Sequence, residues 1–253
     1  AAFRTMEFDY IVVGTGSAGS VVAARLSEDP KLSVLVLEAG GRDLNPWIHL
    51  PVGFAKTLNG TSVNWNFDIE PEALTGNRSM WLPRGRVLGG SSSINGMLYV
   101  RGNARDYDTW AQMGNRGWSY AEVLPFFRRS QHREKANSEF HGEGGPLNVA
   151  DPRVASPLME AIIEGGEEIG YQRNPDYNGA DQLGFGYYQV TQKGGLRHSA
   201  FRAFLKPALG RPNLTVLTRA LAHRVELEKG RATGVIFEYK GKLETARARR
   251  EIV

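Results

Sequence analysis

The sequence predicts an α/β protein, and three features lead there: a β-α-β unit over residues 8–38, helical and irregular stretches through the middle, and short hairpin-linked strands from residue 214 onward. In the opening unit a short apolar strand, residues 8–13, runs into Gly14, Gly16 and Gly19. From Ala18 the pattern turns helical, with Val21, Val22, Ala24 and Leu26 at helical spacing, and a second strand over residues 33–37 ends on Glu38. Gly14 permits a tight turn, Gly16 removes the Cβ that would meet a pyrophosphate, and Gly19 lets the helix pack close to the strand. The helix N-terminus offers free N–H groups and a partial positive charge to phosphates, and Glu38 can accept hydrogen bonds from ribose hydroxyls. The unit therefore reads as a dinucleotide cradle, with NAD and FAD both compatible.

At 253 residues with 41% hydrophobic content, the chain can bury one large core or two modest ones. It contains no apolar run of membrane-spanning length, and residues 1–7, AAFRTME, lack the apolar core of a secretory signal and read as a short leader. The absence of cysteine excludes disulfides, thiolate zinc sites, iron–sulfur clusters and cysteine nucleophiles. It also fits a reducing compartment, so the expected location is the cytoplasm, free or peripheral to a membrane. No metal site is expected. The net charge of +4 comes largely from Arg247, Arg249 and Arg250; with no nucleic-acid motif beside them, these read as a solvated surface. The triplets Asn59-Gly-Thr61, Asn77-Arg-Ser79 and Asn213-Leu-Thr215 match the glycosylation pattern by chance composition alone.

Residues 39–83 look irregular, with Trp47, Trp65 and Trp81 among turn residues; so long a loop-rich stretch points to a functional segment. Asn64-Trp65 can lie against a flat cofactor, or Trp65 can simply pack. Residues 84–108 read RGRVLGGSSSINGMLYVRGNARDYD. Here Gly89, Gly90, Ser91, Ser92 and Ser93 can bring backbone N–H groups close to a phosphate or a ring, while Ile94, Met97, Leu98, Tyr99 and Val100 require burial. Helices are expected over residues 104–113 and after Ser119, where Ser119 and Glu122 form a capping box. A turn-rich connection, residues 140–146, leads to a strand over residues 147–149. A third helix opens at Ser156-Pro157 and stops at Gly170, and a fourth covers residues 199–209. Strands follow over residues 214–217, 222–228, 232–239 and 242–249, with Lys229-Gly230 and Lys240-Gly241 as turns, and residues 251–253 begin another strand.

Taken together, GTGSAG with LEAGG, the segment GRVLGGSSSINGMLYVRGNARDYD, HGEGGPL, RPNLTV and RVELEKGRATGV make the chain resemble the glucose-methanol-choline (GMC) family of FAD-dependent oxidoreductases over residues 8–253, in its branch of choline and alcohol dehydrogenases. The resemblance implies FAD rather than NAD, bound noncovalently, because members that tether the flavin through a histidine carry it where this chain has Ile94. It implies a Rossmann-like, glutathione-reductase-like FAD-binding domain with a β-meander and part of a substrate-binding domain. The FAD-binding domain would take residues 8–150, a substrate or cap region 151–212, and a return to the FAD-binding domain 213–253. Carried over, Gly14, Thr15, Gly16, Ser17, Ala18 and Gly19 would lie at the diphosphate, with Glu38 and Ala39 at the adenosine ribose. Val87, Gly89, Gly90, Ser91, Asn95, Gly96, Met97 and Leu98 would line the flavin and diphosphate, and the Val225 backbone would meet the adenine.

The resemblance further implies oxidation of a small-molecule alcohol to an aldehyde by hydride transfer to flavin N5, with oxygen or a quinone as electron acceptor. A flavin-containing lyase of the hydroxynitrile type is the alternative within the family; an NAD enzyme would leave residues 89–95 unexplained. The resemblance also places the family's catalytic histidine and its partner in a C-terminal half, so residues 1–253 are expected to be one part of a longer chain. Of His49, His132, His141, His198 and His223, none sits in the family's catalytic motif, and His141 and His198 read as surface or loop residues. No catalytic residue is therefore assigned.

Overall fold

The computed structural model describes residues 6–60, 62–135 and 138–253. Most of the leader, and Thr61 of the first glycosylation-type triplet, lie outside the described residues. In chain order the elements begin β1 (Met6–Val13), α1 (Gly19–Leu26), β2 (Val34–Glu38), α2 (Pro46–His49), α3 (Phe54–Asn59), β3 (Phe67–Ile69) and β4 (Met80–Leu82). Next come β5 (Leu98–Tyr99), α4 (Ala104–Gln112), α5 (Tyr120–Ser130), β6 (Gln131–Arg133), β7 (Leu147–Val149), α6 (Pro157–Glu168), β8 (Gln189–Val190), β9 (Gln192–Lys193) and β10 (Leu196–Arg197). A π-helical turn (Phe201–Leu205) leads into α7 (Lys206–Ala208), followed by β11 (Leu214–Thr218), β12 (Ala220–Glu228), β13 (Arg231–Tyr239) and β14 (Lys242–Ile252).

The chain divides into two units: the residues up to Gly96 together with Ser199–Val253, and Met97–His198. These boundaries differ from the expected divisions at 150 and 212. The reason lies in strand pairing. Residues 98–99 form β5, which pairs with β8, so the chain joins the second unit well before residue 150.

The first unit is built on a six-stranded sheet in the order β11-β2-β1-β14-β13-β12. The first four strands run parallel, and β13 and β12 turn back antiparallel. All five residues of β2 are buried, as a strand in the interior of a parallel sheet covered on both faces must be. Ile11, Leu35, Leu37, Val235, Phe237 and Ala246 form its core. The meander turns are two-residue connections with both residues at positive φ: Lys229 at 51° with Gly230 at 80°, and Lys240 at 53° with Gly241 at 72°. That pairing matches the right-handed strand twist, which is why a residue–glycine pair between alternating strands is legible in sequence.

Three expectations need correction. Residues 39–83 are not without structure: they hold α2, α3 and the antiparallel pair β3–β4. Residues 251–253 do not start a new strand, because β14 continues to Ile252 through an irregularity in its pairing with β1 between Phe8 and Tyr10. Residues 199–209 are not one α-helix. Pro207 has no N–H to donate and its ring opposes the carbonyl four residues earlier, and a π-helical turn stands immediately before it.

In the second unit the Ser119–Glu122 capping box forms, with Glu122 Oε2 accepting from Ser119 N–H at 3.1 Å and from its hydroxyl at 2.6 Å. A buried polar network joins the loops. Gln131 Oε1 accepts from Arg101 Nη2 at 2.9 Å and from Gly142 N–H at 3.1 Å, and the His141 ring lies between that oxygen at 3.2 Å and Asp176 Oδ2 at 2.7 Å. His141 is thus buried, not a surface residue. Burial opposes ionisation of Asp176, yet the hydrogen bond and charge of His141, with the Asn178 N–H and Gln189, outweigh it and leave the carboxyl pKa lowered.

Candidate functional site

The turn between β1 and α1 carries the first half of the site. Gly14 has φ of +94°, a conformation that favours glycine, and its N–H donates to Leu37 O at 2.8 Å, which fixes the turn against β2. A Cβ at Gly19 would stand 2.1 Å from Gly14 O, so the close approach of helix to strand requires glycine there. At Gly14 and Gly16 the situation is the reverse: a Cβ would meet no atom within 4 Å, because the turn faces open space. The N–H groups of Gly16, Ser17 and Ala18 have no acceptor among the described residues, which leaves a set of donors at the positive end of α1.

Glu38, at the end of β2, is 5% exposed. Its Oε2 accepts from Thr15 N–H at 2.9 Å and from the Thr15 hydroxyl at 2.6 Å, and its Oε1 accepts from Gly40 N–H at 2.7 Å. A carboxylate offers about four lone-pair directions, so one remains for a ligand hydroxyl.

The second half of the site is the segment at Gly89–Ser93. Gly89 has φ of +92° and Gly90 of +52°. A Cβ on Gly90 would lie 2.7 Å from the Cα of Gly16, so the two glycine segments meet backbone to backbone. Gly89 N–H donates to Thr15 O at 3.1 Å. The serine hydroxyls serve their own turn: Ser92 donates to Gly89 O at 2.6 Å, Ser93 to Leu88 O at 2.7 Å, and Ser91 Oγ accepts from Gly85 N–H at 3.2 Å.

Between these parts lies a cavity of about 320 Å³. Gly14, Gly16, Glu38 and Ala39 form one wall, Gly90 and Ser91 another, and Trp65, Phe67, Arg84, Ala220, Leu221 and Ala222 complete it. Trp65 and Phe67 are stacked, with centroids 5.5 Å apart and planes inclined by 11°, and the Arg86 guanidinium lies 4.5 Å from the Trp65 ring centre. Open space over two glycines, unpartnered N–H groups and a buried carboxylate fit the adenosine diphosphate part of FAD: phosphates at the N–H groups of Gly16, Ser17 and Ala18, and ribose beside Glu38.

The sequence-derived residues divide accordingly. Gly14, Gly16, Glu38, Ala39, Gly90 and Ser91 line the cavity, Ser17 and Ala18 stand exposed at the mouth of α1, and Gly19 packs α1 against the turn. Thr15, Val87 and Gly89 are buried behind the wall. Asn95 and Gly96 are exposed at the end of the first unit's leading segment and do not line the cavity, although Asn95 N–H donates to Ser91 O at 2.9 Å. Met97 and Leu98 belong to the second unit, where Met97 O accepts from Thr191 N–H at 2.8 Å and Leu98 pairs with Val190. On β12 the wall residues are Ala220, Leu221 and Ala222; Val225 lies further along the strand, paired with Val235 and 43% exposed. None of the histidines lines the cavity, and the described residues hold no cluster of metal ligands.

Sequence reasoning missed Phe67, Arg84 and the β12 residues. The alternation Trp65-x-Phe67 is a strand-like signal that places two aromatic rings on one face, and Ala220-x-Ala222 places two small residues on one face at the start of β12. Neither shows which cavity it faces until β3 and β12 are placed.

Residues 8–253 match the GMC oxidoreductase family. The chain belongs to that family. Among curated relatives it is 47% identical to the oxygen-dependent choline dehydrogenase of Sinorhizobium fredii over 248 residues, covering 98% of this chain and 45% of the relative. The enzyme of the same name from Rhizobium johnstonii is 46% identical with the same coverage. Among solved structures, pyridoxine 4-oxidase from Mesorbium loti superposes with a TM-score of 0.92 at 35% identity, covering 97% of this chain and 48% of that one. An FAD-dependent oxidoreductase from Chaetomium thermophilum gives 0.89 at 28% identity, covering 97% and 44%. This GMC chain thus spans about half the length of the curated relatives it matches. No helix among its described residues is long and apolar enough to cross a membrane.

Proposed function

We propose that this chain is the FAD-binding part of a GMC oxidoreductase that oxidises a small-molecule alcohol to an aldehyde, with oxygen or a quinone as electron acceptor. The observation that carries the reading is the convergence of two glycine segments on one cavity, with unpartnered N–H groups at one end and the Glu38 carboxylate beside it. When bound, FAD supplies the oxidant, taking a hydride from the alcohol carbon.

The chain's own residues supply binding and orientation. The N–H groups of Gly16, Ser17 and Ala18 neutralise the diphosphate, Glu38 accepts from the ribose, and Gly90 and Ser91 close the far side. Attachment is noncovalent: Ile94 is 1% exposed and packed with Ile48, Val63 and Val87, and an alkyl side chain cannot form the tether. We assign the catalytic base to the portion of the relatives that this chain does not cover, because none of the five histidines here sits in the family's catalytic motif. The lack of cysteine agrees with a cytoplasmic location.

The activity named for the relatives makes choline the first alcohol to try. Under anaerobic conditions, adding choline or another primary alcohol to the full-length protein should bleach the yellow flavin band. Flavin that stays oxidised with every alcohol, yet accelerates cleavage of a cyanohydrin, would contradict the oxidoreductase reading and favour a lyase.

A further inference from the structure

Thr15 is fully buried and does not line the cavity, yet it is the junction of the three segments that form it. Its hydroxyl donates to Glu38 Oε2 at 2.6 Å and accepts from Gly89 N–H at 3.3 Å, while its carbonyl accepts from the same Gly89 N–H at 3.1 Å and from the Ser20 hydroxyl at 2.6 Å. One hydroxyl proton allows one donated bond, and the carboxylate takes it.

The consequence for Glu38 is directional. Thr15 holds Oε2 with two donors and Gly40 holds Oε1 with one, so the carboxylate plane cannot turn and its remaining lone pair points one way. The consequence for the second segment is distance. Gly89 is drawn onto Thr15, and that contact sets the approach of Gly90 to Gly16, where no side-chain atom would fit.

We infer that Thr15 is a positioning residue for the dinucleotide: without touching the cofactor, its hydroxyl fixes the orientation of the Glu38 carboxylate, while its carbonyl, with the hydroxyl as a second acceptor, ties the Gly89–Ser93 segment to the first glycine turn. This rests on the reading of the cavity as an FAD site. It differs from the expectation that Thr15 contacts the diphosphate itself.

The test is FAD titration of the flavin-stripped full-length protein, with Thr15→Val, which keeps the shape and removes the hydroxyl, and Thr15→Ser, which keeps the hydroxyl. Loss of a hydrogen bond to a charged group should weaken FAD affinity by about tenfold to a hundredfold in Thr15→Val, with Thr15→Ser within about threefold of the parent. Should Thr15→Val fail to fold, Thr15→Ala takes its place. A merely structural role is separated by a double-mutant cycle with Glu38→Gln: if Thr15 acts through Glu38, removing the hydroxyl should cost far less affinity once the carboxylate is gone. A folded hydroxyl-free variant that binds FAD like the parent, a weakened Thr15→Ser, or strictly additive losses in the cycle would overturn the inference. Failure of the parent protein to bind FAD would instead refute the FAD reading of the cavity.

Discussion

At β1 the Asp9 carboxylate accepts from Ser33 N–H at 2.8 Å and from Arg249 Nη2 at 3.2 Å, tying together β1, the start of β2 and β14. The Arg249 guanidinium first, then the Ser33 N–H, hold its pKa well below the usual carboxylate range against the opposing effect of burial. A carboxyl whose folded pKa is depressed contributes stability that is fully present above its unfolded value, about 3.9, and is lost as the pH falls through the folded value. The melting temperature of the parent should therefore decline as pH drops below about 4. Asp9→Asn should melt lower than the parent at neutral pH and show less of that decline, so that the two converge in acid. Scanning calorimetry from neutral pH into acid checks this, and a constant gap between the curves would remove Asp9 from the account. None of this was legible in sequence. Asp9 reads there as one polar residue in an apolar strand, and its partners lie 24 and 240 residues away.

For the elements, the β1–α1 turn makes a prediction that separates folding from binding. Gly19→Ala drives a Cβ into Gly14 O at 2.1 Å, so the fold itself should lose about 1–3 kcal/mol or more, as overpacking does. Gly16→Ala meets nothing within 4 Å, so the flavin-free protein should keep its stability to within about 1 kcal/mol, while FAD affinity should fall sharply if the methyl group takes the space proposed for the diphosphate. Denaturant unfolding of both flavin-free variants, beside FAD titration of each, checks the pair; equal destabilisation by the two would contradict the geometry. The elements that sequence showed well are those with long periodic patterns or distinctive turn chemistry: β1, α1 and β2, the capped helix α5, β7, α6, and the strands of the meander with their Lys-Gly turns. Those it missed are short. At three to six residues, α2, α3, β3 and β4 give too few repeats for any period to stand out; α2 and α3 are held by tertiary packing, with Ile48 and Leu58 set against Val63, Val87 and Ile94. The π-helical turn before Pro207 was hidden because a helical pattern does not report how wide its turns are.

At the level of the whole molecule, the candidate site divides by the same logic. The residues placed around the cavity by local motifs, Gly14, Gly16, Glu38, Gly90 and Ser91, were visible because each needs its residue type for a local reason. The β12 wall was visible only as a strand: that Ala220–Ala222 reach the cavity follows from sheet register, which relates position along a strand to a distant turn. Likewise, the segment at residues 84–108 looked like one block, yet Met97 and Leu98 belong to the unit whose β5 pairs with β8. We propose that this cavity holds the dinucleotide part of a noncovalently bound FAD. This is tested most directly by acid precipitation of the purified full-length protein and chromatography of the supernatant. FAD should appear in the supernatant, equimolar with the protein; FMN, no flavin from a folded preparation, or yellow colour retained in the pellet would refute this binding mode.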